Sequence, residues 1–172
     1  MSSTQSRTND RRRPASPVNH WIVHHACAGS EAGWPGPDED RPLDLGGYQQ
    51  ADAVRRLLAN EHPTALIASP TVRCRATLEP LGVATGLAVH DNAVLAAPTT
   101  SYAVLELMAA LPPGAVLCTH GEVMHPLLEL LRTIGLRIDG NSTDEQLLGD
   151  GAVWCLDPIA NVLRLSAPLS ER

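Results

Sequence analysis

The sequence predicts an α/β protein: a three-layer sandwich in which a mostly parallel central sheet carries helices on both faces. Short apolar runs alternate along the chain with longer segments of helical periodicity, and helices between successive strands imply parallel strand pairs. Three of the runs also deliver a histidine or an arginine at or just beyond their C-terminal end, the edge where open α/β sheets bind ligands. The length of 172 residues suggests one domain.

The first half of the chain predicts two strand–helix units separated by a long loop. The first apolar run is partly β-branched and typical of a buried strand. Asp44 is suited to cap the first helix, and Ser69 to cap the second, with Pro70 at a position where a missing N–H does no harm. The expected elements are a strand from His20 to His25, a loop over 26–43, a helix from Asp44 to about Asn60, a strand from Thr64 to Ala68 and a helix over about 70–82.

The second half predicts two further strand–helix units and a closing pair of strands. Residues 135–150 are polar and contain glycines, which predicts a loop. The last two apolar runs lie on either side of Asp157-Pro158, as in a hairpin. The expected elements are a strand from Gly86 to His90, a loop over 91–100, a helix over 101–111, a strand over 115–119, a helix from Glu122 to Leu131, and strands from Ala152 to Leu156 and Val162 to Ser166.

Charge and composition exclude several classes of protein. The net charge is −6, and residues 1–18 carry four Arg and one Asp, so the remainder is at −9. An acidic body argues against non-specific nucleic-acid binding, and no run approaches the ~18 apolar residues of a membrane span. The tail 1–18 predicts a disordered basic leader before a domain at 19–172. The scattered cysteines, with no CxxC pair, indicate buried thiols in a reducing compartment, so we expect a cytoplasmic protein.

Side chains at three strand ends form a pattern suited to phosphoryl transfer. His25 can act as a nucleophile, Arg73 offers a permanently charged fork for phosphate oxygens, and His120 lies just before a helix N-terminus. Further donors are expected from Ser69, Arg41, Gly29 and Ser30. Trp34 is a candidate for the pocket mouth or for loop packing, and the loop acids Asp38, Glu39 and Asp40 are expected to be solvated.

Four ordered motifs resemble the histidine phosphatase superfamily, whose fold is phosphoglycerate mutase-like. The most similar branch is that of the SixA-like phosphohistidine phosphatases and the phosphatase-like domain fused to some Nudix hydrolases. The resemblance covers roughly residues 20–167. The matching segments are Val23-His24-His25-Ala26-Cys27-Ala28-Gly29, Arg41-Pro42-Leu43-Asp44 with Gly47, Gln50 and Ala51, Ser69-Pro70-Thr71-Val72-Arg73-Cys74 with Thr77, and Cys118-Thr119-His120-Gly121.

The resemblance implies a role for each matched residue. His25 would accept the phosphoryl group, and Arg73 and His120 would bind it. The implied reaction has two steps: a phosphohistidine forms on His25, and water then hydrolyses it. No metal or cofactor is implied, and the expected partner is a phosphorylated small molecule or a phosphoprotein. The sequence indicates no oligomeric state.

The sequence departs from the family pattern at two points. The family has Arg directly before the catalytic histidine, where this chain has His24. Losing one charge-assisted hydrogen bond costs about 1.5–3 kcal/mol, or about ten- to a hundredfold in rate. The family's acid after the third strand is also missing from Val94-Leu95-Ala96-Ala97, and Glu122 is the first substitute to test. A substrate with a good leaving group, such as phosphohistidine, needs an external acid less.

These departures leave alternatives open. The chain is either a phosphatase with weakened activity or a degraded relative that binds a phosphorylated ligand or partner without turnover. A third hypothesis is a metal site formed by His24, His25, Cys27, Cys118 and His120. Adjacent residues on a strand point to opposite faces, which argues against His24 and His25 reaching one ion.

Overall fold

A computed structural model describes residues 19–140, 142–157 and 161–166, and its centre is a seven-stranded sheet. The strands are β1 (His20–His24), β2 (Ala65–Ala68), β3 (Val89–Asp91), β4 (Ala115–Thr119), β5 (Arg137–Asp139), β6 (Val153–Asp157) and β7 (Val162–Ser166). Their order is β3-β2-β4-β1-β6-β7-β5. The pairs β3–β2, β2–β4, β4–β1 and β7–β5 are parallel, and β6 is antiparallel to both neighbours. The predicted mostly parallel sheet is confirmed.

Helices cover both faces of the sheet, as expected for a three-layer sandwich. They are α1 (Leu45–Leu58), α2 (Val72–Thr85), α3 (Ser101–Ala110), α4 (Gly121–Thr133) and α5 (Asp144–Leu148). Alternate residues of β1 point to opposite faces: Trp21 and Val23 pack with α1 and α2, whereas Ile22 packs with α3, α4 and α5. Two apolar layers therefore hold the strand that ends at the candidate site.

The start of α2 differs from the prediction that Ser69 caps it. The helix begins at Val72, and Thr71 occupies the N-cap position without a side-chain hydrogen bond. The Ser69 hydroxyl is instead hydrogen-bonded to His120 Nε2 at 2.8 Å and is fully buried. Ser69 therefore belongs to the candidate site and not to the helix cap.

Further boundaries differ from the expected ones by up to three residues. The helix α2 extends to Thr85 and ends at Gly86, whose φ of +74° is the left-handed conformation of a helix C-terminus. The third strand consequently begins at Val89, three residues later than expected. The helix α4 extends over Gly121–Thr133, with Pro126 in its second turn.

The prediction of a loop over 135–150 is wrong, because this segment contains β5 and α5. A three-residue strand and a five-residue helix are too short to show periodicity. One signal was readable: Thr143 and Gln146 form a capping box at the start of α5, with reciprocal side-chain to backbone hydrogen bonds. The error matters because the end of α5 contacts His24.

The predicted tail 1–18 and the turn residue Pro158 lie outside the described residues. No helix within the described ranges is long and apolar enough to cross a membrane.

Candidate active site

His25 lies directly beyond the C-terminal end of β1, between strands β4 and β6. Its backbone N–H donates to Thr119 O at 3.0 Å, which continues the parallel ladder by one residue. Its ring Nδ1 lies 2.9 Å from Ala26 O, and since a carbonyl only accepts, Nδ1 carries the proton. Nε2 therefore carries a lone pair and can accept a hydrogen bond. Burial lowers the pKa of His25 from its ordinary 6.5 to about 4, so the ring is neutral at neutral pH.

Arg73 joins His25 to His120. Its Nε donates to His25 Nε2 at 3.2 Å, and its Nη2 lies 3.4 Å from His120 Nδ1. The two imidazole rings are 5.2 Å apart, edge to face. Arg73 is only 7% exposed, so its charge acts where water screens it weakly. The structure thus brings the three side chains into contact at one edge of the sheet.

His120 is oriented by buried partners from two other elements. It is the N-cap residue of α4, and its Nε2 contacts the Ser69 hydroxyl at 2.8 Å and Cys74 Sγ at 3.6 Å. With the Nε2 proton directed at Ser69, Nδ1 is left to accept from Arg73. The N-terminus of α4 adds the partial positive charge of the helix dipole to the same edge of the sheet.

The loop after His25 is fixed by residues that matched the family signature. Ala26 N–H donates to Thr77 Oγ1 at 2.9 Å, and Cys27 N–H donates to Gln50 Oε1 at 2.8 Å. A Cβ at Gly47 would lie 2.0 Å from Cys27 O, so only glycine lets α1 approach this loop. Thr77, Gln50 and Gly47 therefore hold the segment that carries the candidate nucleophile.

His24 lies against the other side of His25, with ring centroids 4.7 Å apart. Its Nδ1 is 2.9 Å from Leu148 O and 3.1 Å from Gly149 O, at the end of α5. Those carbonyls hold the Nδ1 proton, so neutral His24 presents an unprotonated Nε2 to the site. The side chain can donate to phosphate through Nε2 only when the ring is doubly protonated.

The prediction that His24 and His25 cannot approach one ion is wrong, since their rings lie 4.7 Å apart at the end of β1. Among the described residues, His24, His25 and Asp150 each offer a ligand atom, all within 4.8 Å of one another. This set differs from the expected one with Cys27, Cys118 and His120. The guanidinium of Arg73, 3.2 Å from His25 Nε2, opposes a cation at this position.

Arg41 and Asp38 form the open side of the site. Arg41 Nη1 donates to Gly29 O at 2.8 Å, and its Nε donates to Asp38 Oδ1 at 2.7 Å. The same Asp38 carboxylate accepts from Arg73 Nη2 at 2.8 Å. The expectation that Asp38 is simply solvated is therefore wrong. The hydrogen bond from Arg41, and then the charge of Arg73, hold the pKa of Asp38 below its ordinary 3.8.

The remaining predicted residues lie toward solvent. Gly29 is exposed with a φ of +68°, and Ser30 is exposed. Glu122 is exposed in the first turn of α4. A groove of about 340 Å³ lies beside Arg41, and Trp34 lines it while its Nε1 donates to Pro37 O at 2.8 Å within the same loop, so both of its predicted alternatives stay open. The groove is lined by Ala28, Ser30, Gly33, Trp34, Arg41, Pro42, Leu43 and Asp44.

Sequence reasoning missed the positions of Asp38 and Asp150. Asp38 binds two arginines of the site, and Asp150 Oδ1 lies 3.8 Å from His24 Nδ1. Both residues are in loop segments rich in acids and glycines, where periodicity carries no information on direction. Only the folded loop shows which acid faces the pocket.

The fold and this His–Arg–His cluster at a strand edge define an α/β protein with a candidate active site at one end of its sheet, and comparison with known proteins identifies the family. Residues 21–96 match the model of the histidine phosphatase superfamily (branch 1). An 8-oxo-(d)GTP phosphatase from Mycolicibacterium smegmatis is 33% identical, over 69% of this chain and 38% of the relative. The chain therefore spans well under half the length of that relative.

Solved structures share the fold over nearly the whole chain. The SixA protein from Agrobacterium tumefaciens has a TM-score of 0.66 and 24% identity, covering 91% of this chain and 99% of that one. The protein histidine phosphatase SixA complexed with tungstate has a TM-score of 0.63 and 17% identity, covering 87% and 97%. This chain belongs to the histidine phosphatase superfamily, which supports phosphatase-type activity. The expected similarity to Nudix-fused domains stays a prediction.

Proposed function

We propose that this protein hydrolyses a phosphomonoester or a phosphoramidate, for example phosphohistidine, through a phosphohistidine intermediate on His25. The observation that carries the proposal is the convergence of His25, Arg73 and His120 within hydrogen-bond distance at one edge of the sheet. A buried cation between two imidazoles is suited to bind a phosphoryl group beside a nucleophile.

In the first step, the Nε2 lone pair of His25 attacks phosphorus and the bond to the leaving group breaks. Arg73 and His120 stabilise the charge on the non-bridging oxygens. In the second step, water attacks the phosphohistidine, the P–N bond breaks, and its electron pair returns to Nε2. The low pKa of His25 supports this chemistry, because the ring needs no deprotonation before it attacks.

The activity is expected to be weaker than in relatives with arginine at position 24. Neutral His24 directs its only proton to the carbonyls of Leu148 and Gly149 and has none for phosphate. The pocket therefore provides one permanent cation at His25, from Arg73. Good leaving groups, as in phosphoramidates and activated phosphates, depend least on the missing stabilisation.

The substrate is a phosphorylated small molecule or a phosphoprotein. The groove lined by Trp34 and Arg41 supports a leaving group with a flat apolar part, since it opens beside an arginine of the site. The relative that acts on 8-oxo-(d)GTP supports a nucleotide, and the SixA neighbours support phosphohistidine. A cytoplasmic location is part of the same proposal.

The test compares the unmodified protein with His25→Ala. We expect hydrolysis of p-nitrophenyl phosphate and of a phosphohistidine peptide between about pH 5 and pH 8, and complete loss of both activities in the variant. A radiolabelled substrate should leave acid-labile label on the unmodified protein after rapid quenching. His90→Ala, at an exposed position of β3, is the matched control and should retain activity. Undiminished hydrolysis by His25→Ala would contradict the mechanism.

A second candidate function is the binding of a phosphorylated ligand or partner without turnover. The residue at position 24 favours it, because a histidine whose Nδ1 faces backbone carbonyls replaces the permanently charged arginine that the family has beside the nucleophile. Calorimetry with orthophosphate separates the two functions. Binding that depends on Arg73, combined with no hydrolysis of either substrate, would support the binding function and contradict the enzymatic one.

A further inference from the structure

Asp38 connects the two arginines of the site through three hydrogen bonds. Its carboxylate accepts from Arg73 Nη2 at 2.8 Å and from Arg41 Nε at 2.7 Å. Its main-chain carbonyl accepts from Arg73 Nη1 at 2.6 Å. Guanidinium groups bind carboxylate and phosphate oxygens in the same forked geometry. A phosphoryl group that binds Arg73 must therefore replace Asp38 on at least part of that guanidinium.

The two ends of the Arg73 guanidinium face different groups. The Nε edge faces His25 Nε2, and the terminal nitrogens face Asp38. In-line displacement places the leaving atom on the opposite side of phosphorus from the nucleophile. A phosphoryl group lying along this guanidinium would have the nucleophile at one end and the Asp38 carboxylate near the other.

Other acids of the region are less suited to protonate a leaving group. Glu122 is exposed on α4, and Asp91 is paired with Arg75 at 2.6 Å on the surface. Asp150 lies on the His24 side, 3.8 Å from His24 Nδ1. Within the described residues, Asp38 is the acid whose ion pair includes the guanidinium that contacts His25. Its side chain is also 40% exposed, so it can exchange protons with solvent.

We propose that Asp38 is the proton donor of the reaction, and that in the free protein the same carboxylate occupies the place of the substrate's phosphoryl oxygens on Arg73. This inference deepens the proposed function, on which it rests, and supplies the acid that the family motif lacks in this chain.

The exchange on Arg73 explains how a carboxylate can become an acid. In the free protein Arg41 and Arg73 keep Asp38 ionised. The oxygens of a bound phosphoryl group replace the Asp38 carboxylate as hydrogen-bond partners of Arg73, and they add negative charge beside that carboxylate. Both changes favour protonation of Asp38. When the P–O bond breaks, its electron pair goes to the leaving oxygen, which takes the Asp38 proton. In the second step the Asp38 carboxylate takes a proton from the attacking water. When orthophosphate leaves, Asp38 releases that proton to solvent and its carboxylate pairs with Arg73 again.

The experiment measures leaving-group dependence and phosphate binding in the full chain. Asp38→Asn is compared with Asp40→Asn, which removes the same charge from an exposed position of the same short 3₁₀ segment, Asp38–Asp40. We expect Asp38→Asn to lower kcat about a hundredfold for an alkyl phosphate and about threefold or less for p-nitrophenyl phosphate. Orthophosphate should bind about tenfold more tightly, because a competing anion is gone. Asp40→Asn should change none of these quantities.

A purely structural role for Asp38, as an anchor for Arg73, predicts the opposite pattern: weaker orthophosphate binding and an equal loss for both substrates. That pattern would overturn the proposal. A leaving-group-selective loss in Glu122→Gln would overturn it as well. Turnover that requires His25, with unchanged leaving-group sensitivity in Asp38→Asn, would overturn the role of Asp38 and leave the proposed function intact. Absence of turnover in the unmodified protein would overturn both.

Discussion

The two side chains on either side of His25, Arg73 and His24, differ in charge. On one flank lies Arg73, a buried guanidinium that is charged at every accessible pH. On the other flank lies His24, whose Nδ1 proton is held by two backbone carbonyls. The family pattern has an arginine at both positions, that of Arg73 and that of His24. This chain has a permanent cation on the α2 side, Arg73, and an imidazole on the β1 side, His24, in place of the family's arginine.

The largest effect is expected from removing the permanent cation. Arg73→Ala leaves His25 and His120 without their shared donor and removes the charge that binds phosphate, so kcat/KM should fall about a hundredfold or more. Steady-state kinetics with an aryl phosphate measures this fall in kcat/KM. Arg75→Ala, two residues along the same helix, removes an exposed pair with Asp91 and should have little effect. Equal losses in both variants would indicate a general effect on α2.

Restoring the second cation should have the next largest effect. His24→Arg should raise kcat/KM about ten- to a hundredfold at neutral pH, because arginine adds a permanent charge-assisted hydrogen bond. Asp150, now 3.8 Å from His24 Nδ1, is available to pair with the new guanidinium. Thermal unfolding should accompany the kinetics, since the position is 7% exposed. Unchanged activity in a folded variant would count against the charge argument.

The smallest expected effect concerns the pH dependence of His25 itself. Burial lowers its pKa to about 4, so Nε2 stays unprotonated above that pH and becomes protonated as the pH falls through 4. The nucleophile is therefore lost on the acid side, about tenfold for each further pH unit. NMR titration of the ring nitrogens, with His25→Ala used for assignment, measures it in the free protein. Titration near the ordinary 6.5 would show that the ring is more hydrated than this geometry implies.

Much of the fold was readable from the sequence because its elements are long or strongly apolar. The strand Ala115–Thr119 is buried along its whole length, and its bounds were predicted correctly. The helix Leu45–Leu58 starts where Asp44 caps it, with the carboxylate accepting from Gly47 N–H. The short elements Arg137–Asp139 and Asp144–Leu148 were missed, since three or five residues cannot show a period.

The sequence predicted the three central side chains of the candidate site but not the residues that they contact. His25, Arg73 and His120 each follow a buried strand of one parallel sheet, and parallel strands bring such residues to one edge. The partners of those side chains were not predictable. Ser69 was expected to cap a helix and to act as a further donor of the site, and its hydroxyl contacts His120. Asp38 was expected to be solvated, and it binds Arg73.

The sequence by itself determined the order of strands and helices outside 135–150, the resemblance to the family and the three side chains at the strand ends. These follow from periodicity and from motifs, which are local in the chain. Only the tertiary structure decided that the carbonyls of Leu148 and Gly149 hold the His24 proton and that Asp38 shares Arg73 with His25 and His120. Those contacts join residues 35 to 125 positions apart, and the direction of a loop side chain depends on packing that no local pattern encodes.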